Sequence, residues 1–217
     1  MKLTPTHIQS ARRHLRVADP VMRSMIDAVG PYTLRFEKDR FGLLIRSIVS
    51  QQISTIAARA IRKRLLELAG PDGLTAANLA RFTVDQMRSV GLSQQKASYV
   101  ADLSCKVNDG TVDLRRIGRL SDERVVETLT QVKGIGRWTA QMFLIFSLGR
   151  PDVFPHDDLG VRTAIRDRYQ LDDLPDKTTS LKIAAPWRPY ASVASWYCWR
   201  ALDLARNTET VATGYPL

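Results

Sequence analysis

Apolar residues recur at helical spacing along most of the chain, and no stretch shows the period-2 alternation of a half-buried strand. Ile8, Ala11, Leu15 and Ala18 share one helical face in the first segment, residues 4–29, which Asp19-Pro20 interrupts. A short helix from Val21 to Val29 then stops at Gly30-Pro31, and Tyr32–Asp39 reads as a linker. From Arg40 the pattern becomes almost wholly apolar (Phe41, Leu43, Leu44, Ile45, Ile48, Val49), which predicts a helix buried on nearly every side. Ser54 caps the next helix, whose inward face is Ala57, Ala58, Ile61, Leu65 and Leu68. Gly70-Pro71-Asp72-Gly73 is a turn, and Thr75 opens a short helix. Thr83-Val84-Asp85-Gln86 fits a capping box closed by Gly91, and Ser93 caps a helix that ends at Asn108-Asp109-Gly110.

Further on, Ser121 caps a helix with Val125, Val126, Leu129 and Val132 on one face. Lys133-Gly134-Ile135-Gly136 interrupts it, and a second helix spans Trp138 to Leu148. After a loop closed by Pro155, Asp157 is placed to cap a helix from Asp158 to Tyr169. Residues 172–179 are polar and read as loop, and a last helix starts at Pro189 and runs through Val193, Trp196, Cys198, Leu202 and Leu204. The expectation is an all-α protein of about ten short helices, with no repeat and no low-complexity tail.

Composition adds two constraints. Among 217 residues, 32 Lys and Arg against 22 acidic residues give a net charge of +10, which favours a polyanionic partner such as nucleic acid. With two cysteines (Cys105, Cys198) and three histidines (His7, His14, His156), the chain cannot supply four thiolates to an iron–sulfur cluster, and a structural zinc site is not expected. Both cysteines read as small apolar residues in a reducing compartment. No apolar run reaches the roughly 18 residues of a membrane span, and the first residues have no signal-peptide core, so a cytosolic protein is expected.

The chemistry concentrates between Val132 and Asp158. Two helices joined by Lys133–Gly136 make a helix-hairpin-helix, residues 121–148. Its glycines allow close approach of a phosphate, and amides at a helix start favour an anion. Such contacts grip a nucleic-acid backbone without reading sequence.

Around this hairpin the sequence resembles the helix-hairpin-helix DNA glycosylases, and within them the 3-methyladenine DNA glycosylase II group. The resemblance rests on Val132-Lys133-Gly134-Ile135-Gly136-Arg137-Trp138-Thr139-Ala140, on Asp152-Val153-Phe154-Pro155-His156-Asp157-Asp158-Leu159-Gly160, on Trp187-Arg188-Pro189-Tyr190 with Trp199, and on Ser50-Gln51-Gln52-Ile53-Ser54. It implies two helical subdomains flanking a DNA-binding cleft: residues 37–148 carrying the hairpin, and residues 1–36 with 149–217 carrying the catalytic aspartate. It also implies that the N-terminal β-rich domain of better-known bacterial members is absent.

Carried over residue by residue, the resemblance makes Asp158 the catalytic carboxylate and leaves Asp157 as a cap. Trp138, Trp199 and Met142 fall at base-pocket positions, and Gln52 at the position of the side chain that fills the gap left by a flipped base. Lys133, Gly134, Gly136 and Thr139 are the phosphate-binding candidates. The carbonyls of Thr130, Val132 and Ile135 match an alkali-ion site, and no other cofactor is implied. Trp138 occupies the place of the lysine that forms a Schiff base in strand-cutting relatives, so the implied enzyme hydrolyses the glycosidic bond of alkylated bases and leaves an abasic site. Trp187 and Trp196 are expected in the core. The alternatives are a glycosylase of the same superfamily for an oxidised or mispaired purine, and a hairpin module that binds DNA without chemistry. The implied partner is duplex DNA carrying alkylated bases, met by a monomer.

Overall fold

A computed structural model describes residues 2–206, and every regular element among them is helical. The helices are α1 (Pro5–Ala18), α2 (Pro20–Val29), α3 (Arg40–Ser50), α4 (Thr55–Ala69), α5 (Ala76–Leu79), α6 (Val84–Ser89), α7 (Gln94–Asn108), α8 (Asp122–Thr130), α9 (Arg137–Phe143), α10 (Leu159–Arg168), α11 (Lys177–Ala184) and α12 (Ala191–Ala205). The expected caps are present: Ser54, Ser93 and Ser121 each accept the amide three residues on, and Thr83 with Gln86 closes a capping box.

The described residues form two compact units, one holding the chain up to Phe36 and from Leu144 onward, the other Glu37–Phe143. The second crossing falls inside the predicted Trp138–Leu148 helix rather than after it. The helical hydrogen bonding changes there, because α9 ends at Phe143 and Leu144–Leu148 is a π-helical turn. Residues 207–217 of the expected second subdomain lie outside the described residues.

In the unit Glu37–Phe143, α3 packs on α4, α7 and α9, while α7 also carries α5 and α6, and α8 lies on α9. The all-apolar stretch of α3 explains its central place: Leu43, Leu44, Ile45 and Ile48 have no exposed surface. Its C-terminal end is closed from α7, where Lys96 Nζ donates to the Val49 carbonyl at 2.6 Å.

In the other unit α12 is central, packed on α10, α2 and α1. Val193, Ala194, Tyr197 and Cys198 are wholly buried along it, and Trp196 is 1% exposed. Trp187 is also in the core, as expected, but its indole does more than pack. Nε1 donates at 2.9 Å to Asp19, a buried carboxylate that also caps α2 through the Val21 and Met22 amides and accepts the Tyr169 hydroxyl. The Asp19-Pro20 break is therefore a cap that ties the α1–α2 corner to the end of α10.

Three expectations need correction. Residues 177–184, partly read as loop, form α11, capped by Asp176 through the Thr179 amide. The helix expected from Pro189 begins at Ala191, two residues later, with Tyr190 at its N-cap position. Cys198 is core, where burial pushes its thiol pKa up, but Cys105 is exposed.

Candidate active site

The loop before α10 is strapped to the start of α12. Ser192 donates its amide to the Pro151 carbonyl at 3.0 Å, and its hydroxyl accepts the Val153 amide at 2.9 Å. Asp152 accepts Arg188 Nε at 2.9 Å and the Ala191 amide at 3.3 Å. The Asp158 amide then closes a turn onto the Pro155 carbonyl at 2.9 Å.

This strapping fixes Asp158, which is 7% exposed. Its Oδ1 accepts the Val161 amide at 2.8 Å, making Asp158 the N-cap of α10. The same oxygen accepts Trp199 Nε1 at 2.8 Å, from α12. The carboxylate sits at the positive end of a helix, held by two donors. Gly160 keeps the arrangement possible, since a Cβ there would lie 2.9 Å from Trp199 Cδ1 and 3.1 Å from Asp158 Oδ1. The expected division of labour in the aspartate pair is overturned. Asp157 does not cap: its side chain is 69% exposed and stands 2.9 Å from His156 Nδ1. The cap and the implied catalyst are one residue.

Trp199 is 7% exposed, and its ring stacks on Phe146 at 5.4 Å between centroids. It therefore holds Asp158, whatever part it plays at the pocket position the resemblance gives it. Trp138, in the first turn of α9, is 39% exposed and presents indole surface. Met142, assigned to the same pocket, is 1% exposed; its place on the inner side of α9 leaves almost no surface for a base.

In the hairpin the two glycines have different reasons. Gly134 has φ +79°, and a Cβ there would lie 2.0 Å from the Tyr99 ring, so the fold itself demands glycine. Gly136 has no such φ and open space where a Cβ would stand. Within the turn the Ile135 amide donates to the Val132 carbonyl at 3.1 Å.

The Lys133 amide does not point outward as expected, because it donates at 2.8 Å to Asp102 Oδ2 on α7. That carboxylate also receives Lys106 Nζ at 2.7 Å, and Lys106 donates to the Gln131 carbonyl at 2.7 Å. Burial raises the Asp102 pKa, but the bonds from Lys106 and the Lys133 amide, with both lysine charges, outweigh it and hold the carboxyl below its ordinary value. The Lys133 side chain and Gly136 remain exposed, whereas Thr139 is 4% exposed and faces inward. Arg137, exposed beside Gly136, was missed as a candidate although its charge at the helix start was legible. The carbonyls of Thr130 and Ile135 accept no hydrogen bond from the described residues, so with Val132 they fit the oxygen donor set of an alkali ion.

Gln52 is exposed between α3 and α4, with φ +56°, a conformation uncommon for a side-chain-bearing residue. Its neighbour Gln51, also missed, donates Nε2 to the Gly134 carbonyl at 2.8 Å, so this turn and the hairpin are joined directly.

Residues 45–189 match the family model described as HhH-GPD superfamily base excision DNA repair protein. The chain is 34% identical over 211 residues to DNA-3-methyladenine glycosylase 1 of Schizosaccharomyces pombe, covering 95% of this chain and 92% of that protein. It is 33% identical to a putative DNA-3-methyladenine glycosylase of Bacillus subtilis, over 75% of this chain and 59% of that protein. Among solved structures, the S. pombe 3-methyladenine DNA glycosylase in complex with abasic DNA superposes with a TM-score of 0.82 at 33% identity, covering 92% of this chain and all of that one.

Proposed function

The chain belongs to the HhH-GPD superfamily of base excision DNA repair proteins, and on that footing we propose that it is a monofunctional DNA glycosylase acting on alkylated bases in duplex DNA. The observation that carries this reading is the buried carboxylate of Asp158, held by the Val161 amide and the Trp199 indole. The names of its relatives and the abasic DNA bound to the S. pombe enzyme support the substrate class.

A purine alkylated at N3 or N7 carries positive charge and is already a good leaving group. Its departure develops oxocarbenium character on the deoxyribose, which the Asp158 carboxylate stabilises electrostatically. The same group takes a proton as water adds to the sugar. The target base leaves the stack to reach it, and Gln52 enters the gap. Trp138 offers an indole face to the cationic base, an attraction of about 0.5–2 kcal/mol. An indole is no amine, so no Schiff base forms and the strand stays intact.

The exposed Lys133 side chain, Gly136 and Arg137 meet the phosphates, and an alkali ion on the carbonyls of Thr130, Val132 and Ile135 would add positive charge beside them. The protein acts as a cytoplasmic monomer. The test is incubation with duplex DNA carrying 7-methylguanine. Free base appears, and the strand breaks only after alkali. No base release contradicts the glycosylase reading; scission without alkali contradicts only the monofunctional one.

A further inference from the structure

One face of α4 is unusually cationic. Arg59, Arg62 and Lys63 lie along it, with Arg59 and Arg62 one turn apart, while Arg64 turns to the side of Gly91. Together with Arg46 of α3 they line an open hollow walled by Val49, Ser50 and Ala58. Arg46 is 13% exposed in its side chain and paired with Glu37 at 2.5 Å. It is the only one of the three with a carboxylate partner; among the described residues Arg59 and Arg62 make no hydrogen bond or ion pair.

Burial and the Arg46 charge both lower the Arg62 pKa, against a partial offset from Asp39 and Glu37. Like charges gathered round a hollow repel, and an entering anion relieves that repulsion. The hollow adjoins the Gln52 turn, since Ser50 ends α3 immediately before it. One turn ahead of Arg59, Ile56 is 82% exposed, so the first turn of α4 presents surface beside the hollow.

We propose that Arg46, Arg59 and Arg62 seat a backbone phosphodiester of the bound duplex near the gap that Gln52 enters, as a DNA anchor separate from the hairpin. This rests on the reading of the protein as a DNA glycosylase. The guanidinium fork matches phosphate oxygens in pairs, and the part-buried, Glu37-held Arg46 supplies a fixed floor for two exposed arms. The contact fixes position on the duplex and reads no sequence.

Fluorescence anisotropy with a labelled abasic-site duplex, over a series of KCl concentrations, tests the seat. For the Arg59→Gln/Arg62→Gln double variant the dependence of log Kd on log [KCl] becomes shallower by about 0.9, as expected when one phosphate is no longer neutralised, with weaker binding at every concentration. Arg59→Lys/Arg62→Lys retains most of the slope, and Arg81→Gln, on the α5–α6 connection, leaves it unchanged. A wild-type slope in the double Gln variant overturns the proposal, as does an equal change from Arg81→Gln. Thermal unfolding of each variant excludes a folding defect.

Calorimetry with inorganic phosphate separates a second source of the same chemistry. A binding heat that disappears in the double Gln variant, with its duplex slope intact, assigns the hollow to a free phosphate ligand and overturns the DNA contact. Duplex binding by a wild type that releases no base removes the glycosylase reading, and the KCl slope then decides only whether the three arginines seat a phosphodiester of bound DNA. No duplex binding at all overturns both.

Discussion

Asp158 combines two roles at a single oxygen: it caps α10 and accepts the Trp199 indole. Trp199→Phe keeps a ring against Phe146 but removes the donor. The loss of a hydrogen bond to a charged group costs about 1.5–3 kcal/mol, read in thermal unfolding, and base release slows more than duplex binding weakens. Gly160→Ala attacks the same pair by crowding. Its Cβ, 2.9 Å from Trp199 Cδ1, forces the indole or the carboxylate to move, and single-turnover base release falls while duplex affinity holds. The motif singled out Asp158 as the candidate catalyst, but gave the cap to Asp157. Two adjacent aspartates before an apolar-poor helix offer two phases, and composition does not fix a helix start to within one residue. The link to Trp199, far away in sequence, leaves no local trace.

At the scale of elements, the hairpin glycines give opposite predictions. Gly134→Ala puts a Cβ into the Tyr99 ring at a positive φ, so it destabilises the protein by roughly 1–3 kcal/mol and weakens DNA binding as a consequence. Gly136→Ala meets open space, leaves the unfolding temperature unchanged, and still weakens binding to an abasic duplex. Equal unfolding temperatures for the two variants would contradict the distinction.

Asp102, bound to the Lys133 amide and Lys106, has a folded pKa below its ordinary value. Its contribution is therefore complete above the unfolded pKa of about 3.9 and is lost as pH falls through the lower folded one. Asp102→Asn lowers stability at pH 7 and flattens the pH dependence below the unfolded pKa. The hairpin itself was plain in the sequence as two apolar faces around a glycine turn. What holds it, Asp102, Tyr99 and Gln51, was not, because those contacts cross from other helices. α11 escaped for another reason: it buries only Ser180 and Ala184, so it carries no apolar stripe to read.

For the whole molecule, the all-helical class followed from the absence of period-2 patterning, and the family from linked motifs between Ser50 and Trp199, a span the family model matches over residues 45–189. The crossing between the two units was less legible, since Leu144–Leu148 continues an apolar run that reads as more helix. The charge of +10 pointed to a polyanion without saying where it binds; the hairpin and the α4 strip are the two proposed addresses, both on the unit Glu37–Phe143. The central claim is that the Asp158 charge drives base release, and Asp158→Asn isolates that charge. Asparagine is as good an N-cap and keeps an oxygen for the Trp199 donor, so the fold is preserved. Single-turnover release of 7-methylguanine from duplex DNA should fall by roughly 10²–10³-fold in this variant, with affinity for an abasic duplex retained. Release at the wild-type rate would contradict the account.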